Sequence, residues 1–176
     1  QRQMCIRDRN NINKFLQSNN TNPSISWGVQ TYKVGDPVLF NESNRFAPLV
    51  YNNLKGKILQ IEEEEDCIYF TIEVYTVLNE LDVIGFDLEL KESVADETSV
   101  IRFKVGRSGD GNDDNDNVEN VVPFQVAYAI SIHKAQGLEY ESVKVVITSA
   151  VSLSQTSDKE MKSPKEDILS APLALI

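Results

Sequence analysis

Apolar and polar residues alternate with a period of two through much of the middle of the chain. In CIYFTIEVY (67–75), Ile68, Phe70, Ile72 and Val74 fall on one face, and Tyr69, Thr71 and Glu73 on the other. That alternation predicts a half-buried antiparallel strand. SVIRFKV (99–105) repeats it, with Ile101, Phe103 and Val105 inward and Arg102 and Lys104 outward. Upstream, YKVGDPVLF (32–40) offers a turn at Gly35-Asp36-Pro37 followed by a short apolar strand. In LVYNNLKGKILQI (49–61), Asn52, Asn53 and Gly56 suggest a tight turn, after which Ile58, Leu59 and Ile61 enter a second strand. The acidic run EEEED (62–66) then closes a hairpin. Short strands joined by turns, with little helix, predict a small β-barrel over about 31–107. Within it, 78–97 reads mostly as loop with one short element.

The flanks follow other patterns. NINKFLQSNN (11–20) spaces Ile12, Phe15 and Leu16 as on one side of a short helix that ends in a polar loop. The segment GRSGDGNDDNDN (106–117) is polar and of low complexity, so a mobile acidic loop is expected over about 108–120. FQVAYAISIH (124–133) then puts Phe124, Val126, Tyr128, Ile130 and Ile132 on one side. Gln125, Ala127, Ala129, Ser131 and His133 fall on the other. One bulky face and one small face suit a strand covered on both sides. KAQGLEYES is then a connection, and VKVVIT (143–148) another apolar strand, which suits an α/β sheet over 121–150.

Composition narrows the class. A chain of 176 residues makes one domain, or a domain and part of another. No apolar run is long enough to cross a bilayer, and no signal-peptide pattern stands at the N-terminus, so a cytoplasmic protein without membrane partners is expected. Two cysteines, Cys5 and Cys67, and a single histidine make neither a disulfide framework nor a structural zinc site. The opening QRQMCIRDR (1–9) resembles translated sequencing-adaptor read-through, and is expected to be a non-native leader outside the fold.

A net charge of −10 argues against a free-standing nucleic-acid binder. Much of the acidity sits in 62–66 and 110–119, however, so the charge at a binding face need not follow the total. The second acidic stretch invites comparison with a calcium loop. Counting from Asp110, the required Gly and Glu positions hold Asn115 and Val121, so no metal site is expected there.

The candidate chemistry lies where the 124–133 strand ends. Ligands of open α/β sheets collect beyond the carboxyl ends of the strands, where Ser131, His133, Lys134, Gln136, Gly137 and Glu139 would stand. Gly137 allows close backbone approach, Lys134 carries charge, and the others supply hydrogen-bonding groups. This chemistry suits an anionic, phosphate-bearing ligand. A plain connecting turn with a satisfied histidine fits the same residues, and spacing alone does not separate the two.

AYAISIHKAQGLEYESVKVVIT (127–148) resembles motif V of the superfamily 1 helicases, in their RecD-like and UvrD-like C-terminal domains. Ser131 and Ala135 replace the family's Thr and Ser. YKVGDPVLFNESNRF and YNNLKGKI resemble the passage from the second RecA-like domain into an inserted β-barrel, so the likeness spans roughly 11–149. It implies an α/β fragment with a β-rich insertion: part of a RecA-like parallel sheet plus a small inserted barrel. Residues 10–30 would approach that insertion from the second RecA-like domain, and 151–176 would be a disordered tail outside the family pattern.

By the same resemblance Ser131 and His133 contact the backbone of single-stranded DNA, and Gln136, Gly137 and Glu139 face ATP. Lys134 is placed with the nucleic-acid set, with contact to phosphate and solvation both open. ATP and Mg²⁺ belong to an intact parent enzyme, which would also carry the N-terminal RecA-like domain missing here. The sequence has no Gly-rich phosphate loop ending in Gly-Lys-Ser/Thr; KGKI (55–58) reads as a turn. No arginine follows Arg107, so no arginine finger stands where the family has one. The fragment alone is therefore expected to be inactive. The alternative is a non-catalytic β-barrel module that binds nucleic acid or protein.

Overall fold

The computed structural model describes residues 2–27, 30–41, 45–93, 95–106, 120–140, 142–145 and 174–175. The fold is mostly β-sheet with few helices. Helix α1 (Arg2–Ser18) leads into a two-stranded ribbon of β1 (Ser24–Trp27) and β2 (Gln30–Lys33). The main sheet is built from β3 (Pro37–Phe40), β4 (Lys55–Glu63), β5 (Cys67–Val74), β6 (Glu89–Lys91), β7 (Ser99–Gly106) and β8 (Phe124–Val126). Its strand order is β6-β7-β5-β4-β3-β8, and every pairing in it is antiparallel.

Alternation predicted the central strands well because each has one face in the core. Ile68, Phe70, Ile72 and Val74 of β5 are all fully buried, as are Ile101 and Val105 of β7, with Phe103 nearly so. These side chains pack with Phe40, Phe46, Ile58 and Phe124 in one cluster. The rings of Phe70 and Phe124 meet edge to face at 5.1 Å between centroids, and Phe46 lies 5.1 Å from Phe103.

The sheet is coiled but open. Strands β7 and β8 stand four places apart, which in a flat sheet is roughly 19 Å at about 4.8 Å per step. Yet the rings of Phe103 and Phe124 lie 6.3 Å apart. The sheet therefore curls around its own apolar face. Among the described residues no pairing joins its edges β6 and β8, so the closed barrel expected over 31–107 does not form. Two local features go with the curl. The β4–β5 register slips by one residue between Ile58 and Gln60, a bulge that bends β4. Gly56 lets the backbones approach closely, since a Cβ there would meet the Glu73 carbonyl oxygen at 2.8 Å. KGKI therefore starts strand β4 instead of forming a turn; the turn lies before it, where Asn53 adopts φ 68°.

The 124–133 strand is also corrected. It breaks after Val126: β8 joins the antiparallel sheet beside β3, while β9 (Ala129–Ile130) enters a second sheet. That sheet is completed by β10 (Lys144–Val145) and β11 (Ala174–Leu175), in the parallel order β10-β11-β9. Two residues per strand do not make a RecA-like sheet. The expected cover on both sides reaches Ala127, Ala129 and Ile130, which are buried, but stops before Ile132, which is 56% exposed. An apolar strand reads the same whether its partner runs parallel or antiparallel, so periodicity could not find this division.

Both ends differ from expectation. Residues 2–9, expected to lie outside the fold, continue the helix that was predicted only from 11 onward. The tail, expected to be disordered, contributes the two-residue β11; the remainder of 151–176 and, as far as residue 119, the acidic loop expected over 108–120 lie outside the described residues. Among the described residues no helix is long and apolar enough to cross a membrane.

Candidate functional site

Helix α1 is held to β9 by polar groups. The Asn13 side chain accepts a hydrogen bond from the Ala129 N–H at 2.8 Å and donates to the Ala129 carbonyl at 3.0 Å. It thus pairs with β9 as a neighbouring strand would. One turn further, Gln17 is buried, whereas Phe15, expected on the packed face, is 61% exposed. Gln17 donates to the carboxylate of Asp36, which also receives the Asn20 amide (2.9 Å), the Lys33 backbone N–H (2.8 Å) and the Tyr128 hydroxyl (2.9 Å). Asp36 is fully buried. Burial, with the adjacent Asp36 charge, pushes the Tyr128 hydroxyl up to about 12. This one carboxylate ties α1, the turn after β2 and the β8–β9 break together, just before β9 begins.

Beyond β9 the chain makes a single helical turn, α2 (Ile132–Ala135), with Ser131 at its N-cap and Gln136 at its C-cap. Gly137 follows with φ +79°, a left-handed conformation that favours glycine, and a Cβ there would meet no atom of the described residues within 4 Å. The chain then returns to the main sheet. Ala135, Leu138 and Tyr140 pack against buried Leu39, Ala127 and Ile130. Lys55 of β4 donates to the Glu139 carbonyl at 2.9 Å and lies 4.9 Å from the centroid of the Tyr140 ring.

The six expected site residues thus stand together in one loop past the carboxyl end of β9, and their side chains are used differently. His133, Gln136 and Glu139 are exposed. The side chains of Ser131, His133, Gln136 and Glu139 make no hydrogen bond among the described residues. Lys134 is turned back onto the fold, donating to Asn41 Oδ1 at 2.8 Å. Burial, and secondarily the charge of Arg9, hold its ammonium below the usual lysine value. Toward a nucleotide the loop offers the Gln136 amide and an open backbone at Gly137, which fits one wall of a binding cleft. Among the described residues no group of three or more His, Cys, Asp or Glu side chains is placed to hold a metal ion.

Sequence reasoning missed the supports: Asn13, Asp36, Asn41 and Lys55. Asp36 had a signal, since an aspartate beside a turn glycine commonly caps its own turn. The other three act on residues between 84 and 116 positions away, and no local pattern marks them.

No family model matches the chain, and neither the curated proteins nor the solved structures contain a match. The likeness to superfamily 1 helicases rests on the quoted residues alone.

Proposed function

We propose that this chain is the C-terminal part of an ATP-dependent superfamily 1 DNA helicase, in which the 131–139 loop couples ATP hydrolysis to movement along single-stranded DNA. One observation carries the reading beside the motif V likeness. The loop lies past the end of a strand in parallel pairing, with Ser131, His133, Gln136 and Glu139 uncommitted to the fold's own hydrogen bonds among the described residues. Free of the fold, these four groups are open to a ligand. His133 and Ser131 then face the strand's backbone; Gln136, Gly137 and Glu139 face the nucleotide. ATP and Mg²⁺ act in the intact enzyme, where the partner RecA-like domain supplies the phosphate cradle.

The test is single-strand affinity for oligothymidylate, with melting temperatures alongside. His133→Ala removes one hydrogen bond to a charged group, worth about 1.5–3 kcal/mol, or roughly ten- to 150-fold in affinity. Gln136→Ala leaves that affinity in place and lowers DNA-stimulated turnover in the intact enzyme. The chain by itself should show no DNA-stimulated ATPase activity.

A second reading has its own support. The six-stranded sheet encloses a core distinct from the small Leu39–Ala127–Ile130 cluster under the loop. That independence suits a non-catalytic β module binding nucleic acid or protein. Small and equal losses from both substitutions in every quantity would favour it.

A further inference from the structure

The loop's return to the sheet forms one side of a cleft of about 410 Å³, a size within the range of small-ligand sites. Its floor is apolar, with Val38, Leu39 and Ala127 buried beneath it. Its sides carry Lys55, Lys57, Tyr75 and Tyr140. Tyr75 follows inward-facing Val74 and so continues the outward face of β5, where it is 52% exposed. The Lys55 ammonium lies 5.8 Å from the Tyr75 ring centroid and 4.9 Å from that of Tyr140, so both aromatic rings border the same cation. The Tyr140 hydroxyl is buried without a hydrogen-bond partner among the described residues. Two lysines against the single carboxylate of Glu139 leave the lining positive by one charge, in a chain whose net charge is −10.

We propose that this cleft is a stacking site for an unpaired nucleobase of single-stranded nucleic acid, with Tyr75 as the platform and Lys55 and Lys57 meeting the flanking phosphates. Aromatic faces beside lysines, over an apolar floor, are the combination that holds single strands without reading sequence. A flat base needs a ring face and an apolar floor, and both are present. The phosphates need cations outside the floor, and Lys57 is exposed there. The proposal rests on the single-strand reading of the adjoining loop and adds a contact outside it. A base in the cleft would lie against Glu139 and Tyr140, so the sheet and the loop would grip the same strand.

The experiment uses the 176-residue chain and two probes: a twelve-nucleotide oligothymidylate carrying 5-iodouracil, and inorganic polyphosphate of matching charge. Stacking is worth about 1–3 kcal/mol per base, so Tyr75→Ala should weaken oligothymidylate binding by roughly five- to 150-fold. Polyphosphate binding should be unchanged, and Tyr75→Trp should restore the loss. Irradiation should join the iodouracil to Tyr75 or Tyr140. Equal losses for both probes, no loss, or adducts confined elsewhere would overturn the cleft. His133→Ala separates the two ideas. If it weakens binding and Tyr75→Ala does not, the cleft is wrong and the loop reading stands; the reverse result removes the loop reading and keeps the cleft. Absence of any oligothymidylate binding overturns both.

Discussion

Replacing Asp36 should cost more stability than any other single polar change in the molecule, and asparagine should be almost as costly as alanine. Each carboxylate oxygen is shared by two donors: Gln17 and the Lys33 N–H meet Oδ2, while Asn20 and the Tyr128 hydroxyl meet Oδ1. An asparagine in either orientation points its NH₂ group at two other donors. A hydrogen bond to a charged acceptor contributes about 1.5–3 kcal/mol, but four such values do not add, because Gln17, on a surface helix, and Asn20, two residues past its end, can turn to water. The Lys33 N–H is fixed by the turn and Tyr128 by its packing, so these two set the scale. We expect a loss of about 3–5 kcal/mol for Asp36→Asn or Asp36→Ala, against a total of roughly 5–15 kcal/mol. For a chain of this length that is a drop of roughly 6–20 °C in Tm. Urea unfolding followed by circular dichroism measures it, with hydrogen exchange at the Ala129 amide as a second readout. That amide is protected by Asn13, which leaves with α1 when the carboxylate is gone. An Asp36→Asn variant within about 0.5 kcal/mol of the parent, the size of an ordinary surface change, would refute the argument.

Phe124→Ala should destabilise by about 3–5 kcal/mol in the same urea assay, because this one ring contacts Tyr32, Phe40, Phe70 and Phe103 across the curl. Ile132→Ala, at a side chain that is 56% exposed, is the control and should change stability little. Gly137→Ala should cost about 1–2 kcal/mol through its left-handed backbone alone, since the added methyl meets no atom; a neutral result would mean that the loop readily adopts another conformation. Alkaline titration at 295 nm should show late-ionising phenols, because burial pushes Tyr32 up to about 12 and burial with Asp36 does the same for Tyr128. Folded values above the unfolded value of about 10 mean that the native state binds more protons between pH 10 and 12. Stability from these phenols is thus complete below pH 10 and lost as pH rises toward 12, and Tyr128→Phe should remove one of the late steps.

The sequence by itself determined the strands whose two faces have opposite fates. β5 and β7 were legible residue by residue because burial on one side and water on the other write a period of two into the chain. The turn at Gly35-Asp36-Pro37 and the cluster of candidate residues from Ser131 to Glu139 were legible for a similar reason, since turn chemistry and motif spacing are local. The tertiary structure alone decided what those elements meet. That Phe124 closes against Phe103, that β8 and β9 belong to different sheets, and that Asn13 and Gln17 dock the helix while Phe15 faces water all depend on distant partners. So does the fate of Lys134, whose ammonium is held by Asn41, 93 residues away. A hydrophobic pattern records that a residue is buried. Which neighbour buries it, and which carboxylate or amide satisfies a polar group beside it, is settled only when the chain folds back on itself.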